Sequence, residues 1–312
     1  MKYYLPEDYD LFACLKDQCR HTCCAGWEID IDPDSWRLYQ ELPGSVGDRI
    51  RANVDQKGDT VSFRLDEKGR CPMLTQDGLC SLIIACEEDA LCDICADHPR
   101  YRNFFSDRVE MGLGLCCEAA ALQTVTRKAP YALRLYAEES GGSPLTEQEK
   151  MILSVRENMV SVFQRNSVPY SMKEADVLRL LPAFRWPAPD NDLLFLTGLE
   201  RLDSAWDKRL ARLRKPRVSH LSDPSWDNAL SQLAVSFLYR HLPDAAEDGL
   251  LNPRSLFALW SVRLIDAMTE AADLTGLADT ARAYSAEIEY SDDNLKACFS
   301  YLRECFPDNG II

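Results

Sequence analysis

The distribution of cysteine is the feature that most limits how this 312-residue chain can fold. Eleven of its 13 cysteines lie between Cys14 and Cys117. They form four clusters: Cys14-x4-Cys19-x3-Cys23-Cys24, Cys71-x8-Cys80, Cys86 with Cys92-x2-Cys95, and the pair Cys116-Cys117. Two cysteines two or three residues apart can reach one metal from a tight turn, and four thiolates close a zinc or iron–sulfur site. The clustering predicts a metal-binding module.

The start of the chain bears on the state of these thiols. Residues 1–8 lack the apolar segment of a secretory signal, and no run of about 18 apolar residues predicts a membrane span. We therefore expect a cytoplasmic protein without membrane association. Cytoplasmic thiols are mostly reduced, so the cysteines indicate metal rather than disulfides. Buried free thiols are the alternative, which we favour only for Cys86, Cys298 and Cys305.

The net charge of −15 argues against nucleic acid as a partner, because an acidic protein repels phosphate backbones. The run from Lys208 to Arg217 is the one basic segment. It is more typical of a solvated helix face and a basic helix end. An acidic surface suits a basic partner, such as an exposed lysine.

The first 125 residues are interpreted as short elements that bury little apolar surface, for which metal cross-links commonly compensate. Period-two alternation predicts strands, and Asp32-Pro33 predicts the start of a helix. The expected elements are strands at 27–31, 60–65 and 108–113, and helices at 32–42, 79–90 and from 118 onward. Gly112 and Gly114 are interpreted as points of close backbone approach.

The remaining residues are interpreted as helices. Thr146 and Glu149 form a capping box that predicts a helix to about Gln164. Further helices are expected at 225–240, 252–271 and 291–306, and a proline-rich loop at 181–189. The fold class is therefore mainly α (α+β). A cysteine-rich module at residues 1–125, nucleated by metal, is expected to pack on a helical domain at residues 126–312.

Several other side chains in the first module are candidates for polar roles near the metal. Glu28, Asp30 and Asp32 alternate along a strand whose simpler interpretation is a half-exposed edge. Arg100 would pair with a carboxylate, and Glu118 would supply negative charge at a helix start. Two histidines, His21 and His98, lie inside cysteine motifs and could replace a thiolate. For His98, which precedes Pro99, a solvated or hydrogen-bonding role is favoured, and Trp27 would pack over the metal or fill the core.

The cysteine motifs resemble the flagellin lysine N-methylase (FliB) family over roughly residues 1–125. They also resemble a broader class of zinc- or iron-chelating cysteine-cluster proteins. The segments that carry the resemblance are Phe12-x-Cys14-x4-Cys19-x3-Cys23-Cys24-x-Gly26-Trp27, Cys71-Pro72-x-Leu74, Gly78-Leu79-Cys80, Leu91-Cys92-x2-Cys95-x2-His98-Pro99-Arg100 and Cys116-x-Glu118-Ala119-Ala120. Cys117 stands where proline is expected and His98 where tyrosine is expected, which leaves open whether either joins the metal shell.

The resemblance implies a methyltransferase that moves methyl from S-adenosylmethionine to lysine side chains of flagellin. It also implies an iron–sulfur cluster of the [4Fe–4S] kind, with zinc as the alternative. The cysteines at family positions, and hence the implied metal ligands, are Cys14, Cys19, Cys23, Cys24, Cys71, Cys80, Cys92, Cys95 and Cys116. Nine exceed the four that one cluster needs, so either there are two sites or some positions are structural.

The residues leave the mechanism open. A neutral amine can attack a sulfonium methyl directly, without a metal. Because Cys24 directly follows Cys23, the Cys-x3-Cys-x2-Cys pattern of radical enzymes is absent, which favours a structural or substrate-organising metal. No catalytic residue and no donor pocket can be assigned. A non-enzymatic metal module that binds a protein partner is the alternative function, and a redox protein is a third.

Overall fold

The computed structural model describes residues 1–215 and 223–307 of the protein. The β-strands in these ranges are short. They are β1 (Lys2–Pro6), β2 (Asp30–Ile31), β3 (Val54–Lys57), β4 (Thr60–Phe63), β5 (Arg100–Phe104), β6 (Arg108–Leu113) and β7 (Leu133–Glu138).

Helices dominate the described residues, which confirms the mainly α (α+β) fold class. The α-helices are α1 (Pro33–Glu41), α2 (Gly44–Ala52), α3 (Ser81–Cys86), α4 (Asp93–Asp97), α5 (Glu118–Thr126), α6 (Glu147–Phe163), α7 (Tyr170–Leu178), α8 (Pro189–Thr197), α9 (Trp206–Leu210), α10 (Pro224–His241), α11 (Ala245–Asp248), α12 (Leu251–Met268), α13 (Leu274–Tyr284) and α14 (Asp292–Arg303). A π-helical turn, Ser285–Glu289, joins the last two.

The chain divides into two units, and the division is discontinuous. The cysteine unit comprises Ala13–Arg100 and Cys117–Ala119. The helical unit comprises Met1–Phe12, Tyr101–Cys116 and the described residues from Ala120 onward. The sequence places a single boundary at residue 125, whereas the structure assigns the first twelve residues to the helical unit. Strand pairing is the reason, because β1 finds its partners late in the chain.

The sheet of the helical unit has the strand order β5-β6-β1-β7. Strand β1 runs parallel to β6, with Lys2 opposite Arg108, and antiparallel to β7, with Lys2 opposite Glu138. Gly112 on β6 lies against the ring of Tyr101 on β5, so an added Cβ would lie 2.3 Å from the ring. The close approach expected at this glycine is therefore present, and a neighbouring strand supplies it.

The core of the helical unit is built around α10 and α12, which are buried along most of their length. Leu233 and Ala234 on α10, and Phe257, Leu259 and Val262 on α12, have no exposed surface. Helices that are buried on all sides form the centre of a core. The unit therefore has the large apolar core that a stable helical domain requires.

A buried charge cluster interrupts this apolar core. His241 Nε2 lies 2.5 Å from Oε1 of Glu289, and Arg240 Nε lies 3.1 Å from the same oxygen. Burial alone would raise the pKa of Glu289, but Arg240 and the His241 hydrogen bond outweigh it and hold the pKa at about 2. Burial lowers the pKa of His241 below its usual 6.5. The native unit therefore favours an ionised glutamate beside a neutral imidazole.

The cysteine unit contains a smaller sheet and core. Its strands have the order β2-β4-β3, and all pairs are antiparallel. Its apolar cluster is centred on Ile29, Tyr39, Ile50 and Met73, each at most 1% exposed. Such a core is small for a unit of this length, as the sequence predicts for the cysteine-rich region.

Most expected helices are present, and several expected elements are shorter. Asp32 caps α1, and Thr146 with Glu149 forms the capping box of α6. The strand expected at 27–31 is only Asp30–Ile31, because backbone around Gly26 pairs instead with the loop at Gly69. The helix expected at 79–90 ends at Cys86, because the next residue adopts a φ of 62°.

The structure bears on the sequence expectations about membranes and about the basic run. None of the helices in the described ranges combines the length and apolarity needed to cross a membrane. The basic run begins in α9 and a following 3₁₀ turn, where Arg209 pairs with Asp279 at 2.6 Å. Its last two residues, Pro216 and Arg217, lie outside the described residues.

We predict that Gly112→Ala destabilises the helical unit by about 1–3 kcal/mol. The new methyl group would overlap the Tyr101 ring, whose movement is restricted because Arg240 lies over it at 5.3 Å. Chemical denaturation measures the loss. Gly198→Ala is the control, because its added Cβ meets no atom closer than 3.4 Å. Equal stability of the two variants would contradict the packing described for β6.

We predict that the stability of the helical unit falls as the pH decreases from 7. At both sites the unfolded chain binds protons more readily than the folded chain does. Stability is therefore lost as the pH falls below 6.5, the unfolded pKa of His241. It is lost again as the pH falls from 4.5, the unfolded pKa of Glu289, towards the folded pKa of about 2. Glu289→Gln should cost about 3–5 kcal/mol at pH 7, because it leaves Arg240 charged and unpaired.

Denaturant unfolding at several pH values measures both effects. Glu270→Gln serves as the control, because its side chain is 71% exposed and its ion pairs are long, at 3.9 Å. An unfolding free energy of Glu289→Gln that equals the wild-type value at pH 7 would refute a stabilising role for this cluster.

Candidate metal centre

A short helical turn presents the Cys92-x2-Cys95 motif. Cys92 is the N-cap of α4, and Cys95 N donates to Cys92 O at 2.9 Å, which turns both side chains towards one side. Asp32 fixes this turn from outside. Its Oδ2 accepts from Asp93 N at 2.9 Å, while its Oδ1 accepts from Ser35 N at 2.8 Å. One carboxylate therefore caps both α1 and the cysteine turn.

A backbone pairing brings the first and second cysteine clusters together. Cys71 N donates to Cys24 O at 2.8 Å, and Gly26 N donates to Gly69 O at 2.9 Å. Trp27 anchors the same segment, because its Nε1 donates to Cys23 O at 2.7 Å. Cys23 and Cys24 are thereby held next to Cys71, although a long stretch of sequence separates them.

A tight turn then returns the chain to place Cys80. Thr75 N donates to Leu79 O, and Ser81 N donates to Met73 O, each at 2.8 Å. Gly78 adopts a φ of +79°, which favours glycine at this position of the turn. Cys80 therefore lies across the turn from the segment that follows Cys71.

Six of the nine cysteines at family positions line one cavity of about 70 Å³. They come from all three of the segments described above. The six are Cys23, Cys24, Cys71, Cys80, Cys92 and Cys95. Apolar and aromatic side chains supply most of the remaining lining, including Trp27, Tyr39, Phe63 and Met73. The folded unit therefore concentrates soft sulfur donors in an otherwise apolar space.

Burial disfavours the charged form of two of these thiols. It raises the pKa of Cys71 to about 12 and raises the pKa of Cys80 above its usual value. Both side chains are consequently thiols at neutral pH when nothing binds them. A metal ion would reverse this preference, because it stabilises the thiolate to which it binds.

The other four cavity cysteines form two hydrogen-bonded pairs. Within the first pair, a hydrogen bond from Cys23 lowers the pKa of Cys24 to about 7 and raises that of Cys23. Within the second, a hydrogen bond from Cys95 lowers the pKa of Cys92 and raises that of Cys95. Each pair thus shares a proton between two adjacent sulfur atoms.

The donor set fits a thiolate-bound metal group. All the cysteines are free thiols, and thiolates are the ligands that zinc, copper(I) and iron–sulfur clusters prefer. In the described ranges, no three His, Cys, Asp or Glu side chains are already arranged around a single ion position. The six thiols line a cavity rather than converge on one point, so ligation of a single ion requires side-chain rearrangement.

Three of the predicted ligands do not line the cavity. Cys14 is exposed, and Cys19 Sγ lies 3.9 Å from Oε2 of Glu118. Burial raises the pKa of Cys19, and the nearby Cys117 contributes in the same direction. Cys116 belongs to the helical unit, where it hydrogen-bonds with Tyr290. The cavity therefore brings together six of the nine predicted ligands.

The candidate polar residues have mostly structural contacts. Glu28 accepts from Ser62 Oγ at 3.3 Å, and Arg100 Nη1 donates to Ala96 O at 3.0 Å. Glu118 begins α5 and accepts from Arg20 Nε at 2.7 Å, in keeping with a negative charge at a helix start. Asp30 is exposed.

Two further aromatic side chains, those of His98 and Tyr39, line the cysteine cavity. The predicted candidate His98 lines the cavity, with its ring 6.1 Å from that of Trp27. Tyr39, which the sequence analysis missed, is fully buried beneath the cysteine turn and donates to Ala90 O at 2.7 Å. The position of Tyr39 on the buried face of α1 is the feature that could have identified it.

Curated proteins similar to this chain include two lysine-N-methylases. The chain is 27% identical over 112 residues, or 34% of its length, to "Lysine-N-methylase" of Salmonella typhimurium, and equally to that of Salmonella choleraesuis. It is 26% identical over 112 residues to "Flagellar biosynthetic protein FliU" of Salmonella muenchen. The match spans 28% of the lysine-N-methylases and 66% of the FliU protein.

These similarities confirm the resemblance predicted from the cysteine motifs, over about a third of the chain. No family model matches the chain, and no solved structure matches it.

We predict that Cys92→Ala or Cys95→Ala lowers bound metal and stability together, because metal binding contributes to the free energy of folding. Elemental analysis of anaerobically purified protein, followed by thermal unfolding, measures both. Cys86→Ala is the control, since Cys86 lies in the same unit but does not line the cavity. Unchanged metal content in both cavity variants would refute the ligand assignment.

Proposed function

We propose that the protein is a protein-lysine N-methyltransferase that transfers methyl from S-adenosylmethionine to lysine side chains of flagellin. We further propose that the cavity cysteines bind an iron–sulfur cluster, with zinc as the alternative. The observation that carries the proposal is the convergence of six cysteines from the shared motifs on one cavity. The names of the similar curated proteins supply the reaction and the flagellar connection.

The reaction itself requires no metal. The neutral amine of the substrate lysine attacks the methyl carbon, a C–N bond forms as the S–C bond breaks, and a base takes the proton from nitrogen. The protein must align these atoms and desolvate the amine. The acidic net charge of −15 favours approach of a basic side chain.

The geometry of the cavity favours a structural metal over one that touches the substrate. A space of about 70 Å³ among apolar side chains leaves little room for a lysine and a methyl donor beside a metal group. When bound, the metal would supply thiolate cross-links between three separate segments of the cysteine unit. The chain's own contribution is to hold these segments, through Asp32 and the pairing of Cys24 with Cys71.

Two observations favour a second candidate, a metal module that binds a protein partner without catalysis. The curated match covers only about a third of the chain, and the cavity in the cysteine unit lacks the size of a substrate site. This candidate predicts bound metal without binding of S-adenosylmethionine.

We predict that flagellin gains mass in methyl increments after incubation with the metal-loaded protein and S-adenosylmethionine. Intact-mass spectrometry measures the gain, and peptide mapping then identifies the lysines. Flagellin whose lysines have been acetylated is the matched control, because an acetylated amine is not a nucleophile. The absence of any gain with fully metal-loaded protein would favour the non-catalytic module.

A further inference from the structure

The helical unit contains a second, much larger cavity of about 640 Å³. It lies between the end of α6, the start of α7 and the start of α10. Its walls include the buried side chains of Phe163, Lys173 and Gln232, and the half-buried Gln164 and Asp227. A space of this volume is within the usual range for small-molecule sites.

A buried cation forms part of the wall. Lys173 is 5% exposed, and its Nζ donates to Phe163 O at 2.8 Å and to Ser231 Oγ at 3.2 Å. Both acceptors are neutral, and an ammonium group carries three N–H bonds. Within the described residues, the third proton has no acceptor. Burial lowers the pKa of Lys173, as expected for an ammonium without a direct carboxylate partner.

A carboxylate stands on the same wall. Asp227 Oδ1 accepts from Tyr170 N at 2.8 Å, and the charge of Asp227 acts on Lys173. Its second oxygen receives no hydrogen bond from the part of the chain that the structure describes. Asn228 and Gln164 line the cavity nearby and use their NH₂ groups on backbone carbonyls, at 2.7 Å each. Their amide oxygens are left as acceptors.

The loop that joins α6 to α7 is strained at the edge of this cavity. Ser167 lines the cavity and adopts a φ of +58°, which is unfavourable for a residue other than glycine. Strained backbone of this kind persists where the surrounding structure fixes it, and it clusters at ligand sites. The strain is therefore a second feature, independent of the charges, at the same place.

We propose that this cavity binds a zwitterionic α-amino-acid head group, with the ligand carboxylate on Lys173 and the ligand ammonium on Asp227. A charged donor and a charged acceptor on one wall complement the two charges of such a head group. The volume exceeds what a free amino acid needs, so the rest of a larger ligand fits beside it. Resting on the proposed function, we infer that the ligand is the methyl donor S-adenosylmethionine.

Calorimetric titration of the metal-loaded, full-length protein with S-adenosylhomocysteine tests the proposal, because this product analogue keeps the head group and cannot react. Asp227→Asn should weaken binding about tenfold or more, since it removes a charge-assisted contact. The asparagine can still accept from Tyr170 N, so folding is preserved. Lys173→Met should weaken binding by a similar factor.

Matched controls remove charges elsewhere in the helical unit. Asp190→Asn and Lys150→Met affect exposed side chains outside the cavity and should bind S-adenosylhomocysteine as the wild type does. Thermal unfolding of every variant separates loss of binding from loss of fold. Wild-type affinity in both Asp227→Asn and Lys173→Met would overturn the proposed site, while methylation of flagellin by the wild type would still support the function.

Free methionine and free lysine form the other arms of the titration. If either binds in an Asp227-dependent way and S-adenosylhomocysteine does not, the head-group site is supported and the methyl-donor function is refuted. If none of the three compounds binds the wild-type protein at millimolar concentration, the proposed site is overturned.

Discussion

The hydrogen bond from Cys71 N to Cys24 O is the contact on which the cysteine unit depends. It joins two loops that share no helix or long strand, and it places sulfur atoms from distant parts of the sequence around one cavity. Loops held by so few backbone bonds have little resistance to local opening. The unit thus combines a weakly supported scaffold with donors that a metal would cross-link.

The two units are stabilised by different means. The helical unit has an apolar core around α10 and α12, and it tolerates a buried cluster of Glu289, Arg240 and His241 because the charges are paired. The cysteine unit has a small core beside its thiols. The cavity of the helical unit, with Lys173 and Asp227, has the polar character that the cysteine cavity lacks. The proposed metal site and the proposed small-molecule site therefore lie in separate units.

Local signals in the sequence were sufficient wherever neighbouring residues determine the structure. Asp32 before Pro33, and Thr146 with Glu149, predicted the starts of α1 and α6 because caps act within one helical turn. The spacing of Cys92 and Cys95 likewise predicted that one short turn carries both side chains. The pairing of β1 with β6, and the assignment of Cys116 to the helical unit, depend on contacts between distant residues. Spacing along the chain carries no information about such contacts, and neither Lys173 nor Asp227 belongs to a motif.

The pairing of β1 with β6 and β7 also has a consequence for synthesis. Strand β1 leaves the ribosome well before both of its partners, because they follow the main segment of the cysteine unit. At about 5–20 residues per second, roughly 100 residues take about 5–20 s to emerge. During that interval β1 has no strand partner, and by its end all six cavity cysteines have emerged ahead of β6. The order of elements therefore allows the main segment of the cysteine unit to fold before the sheet of the helical unit closes.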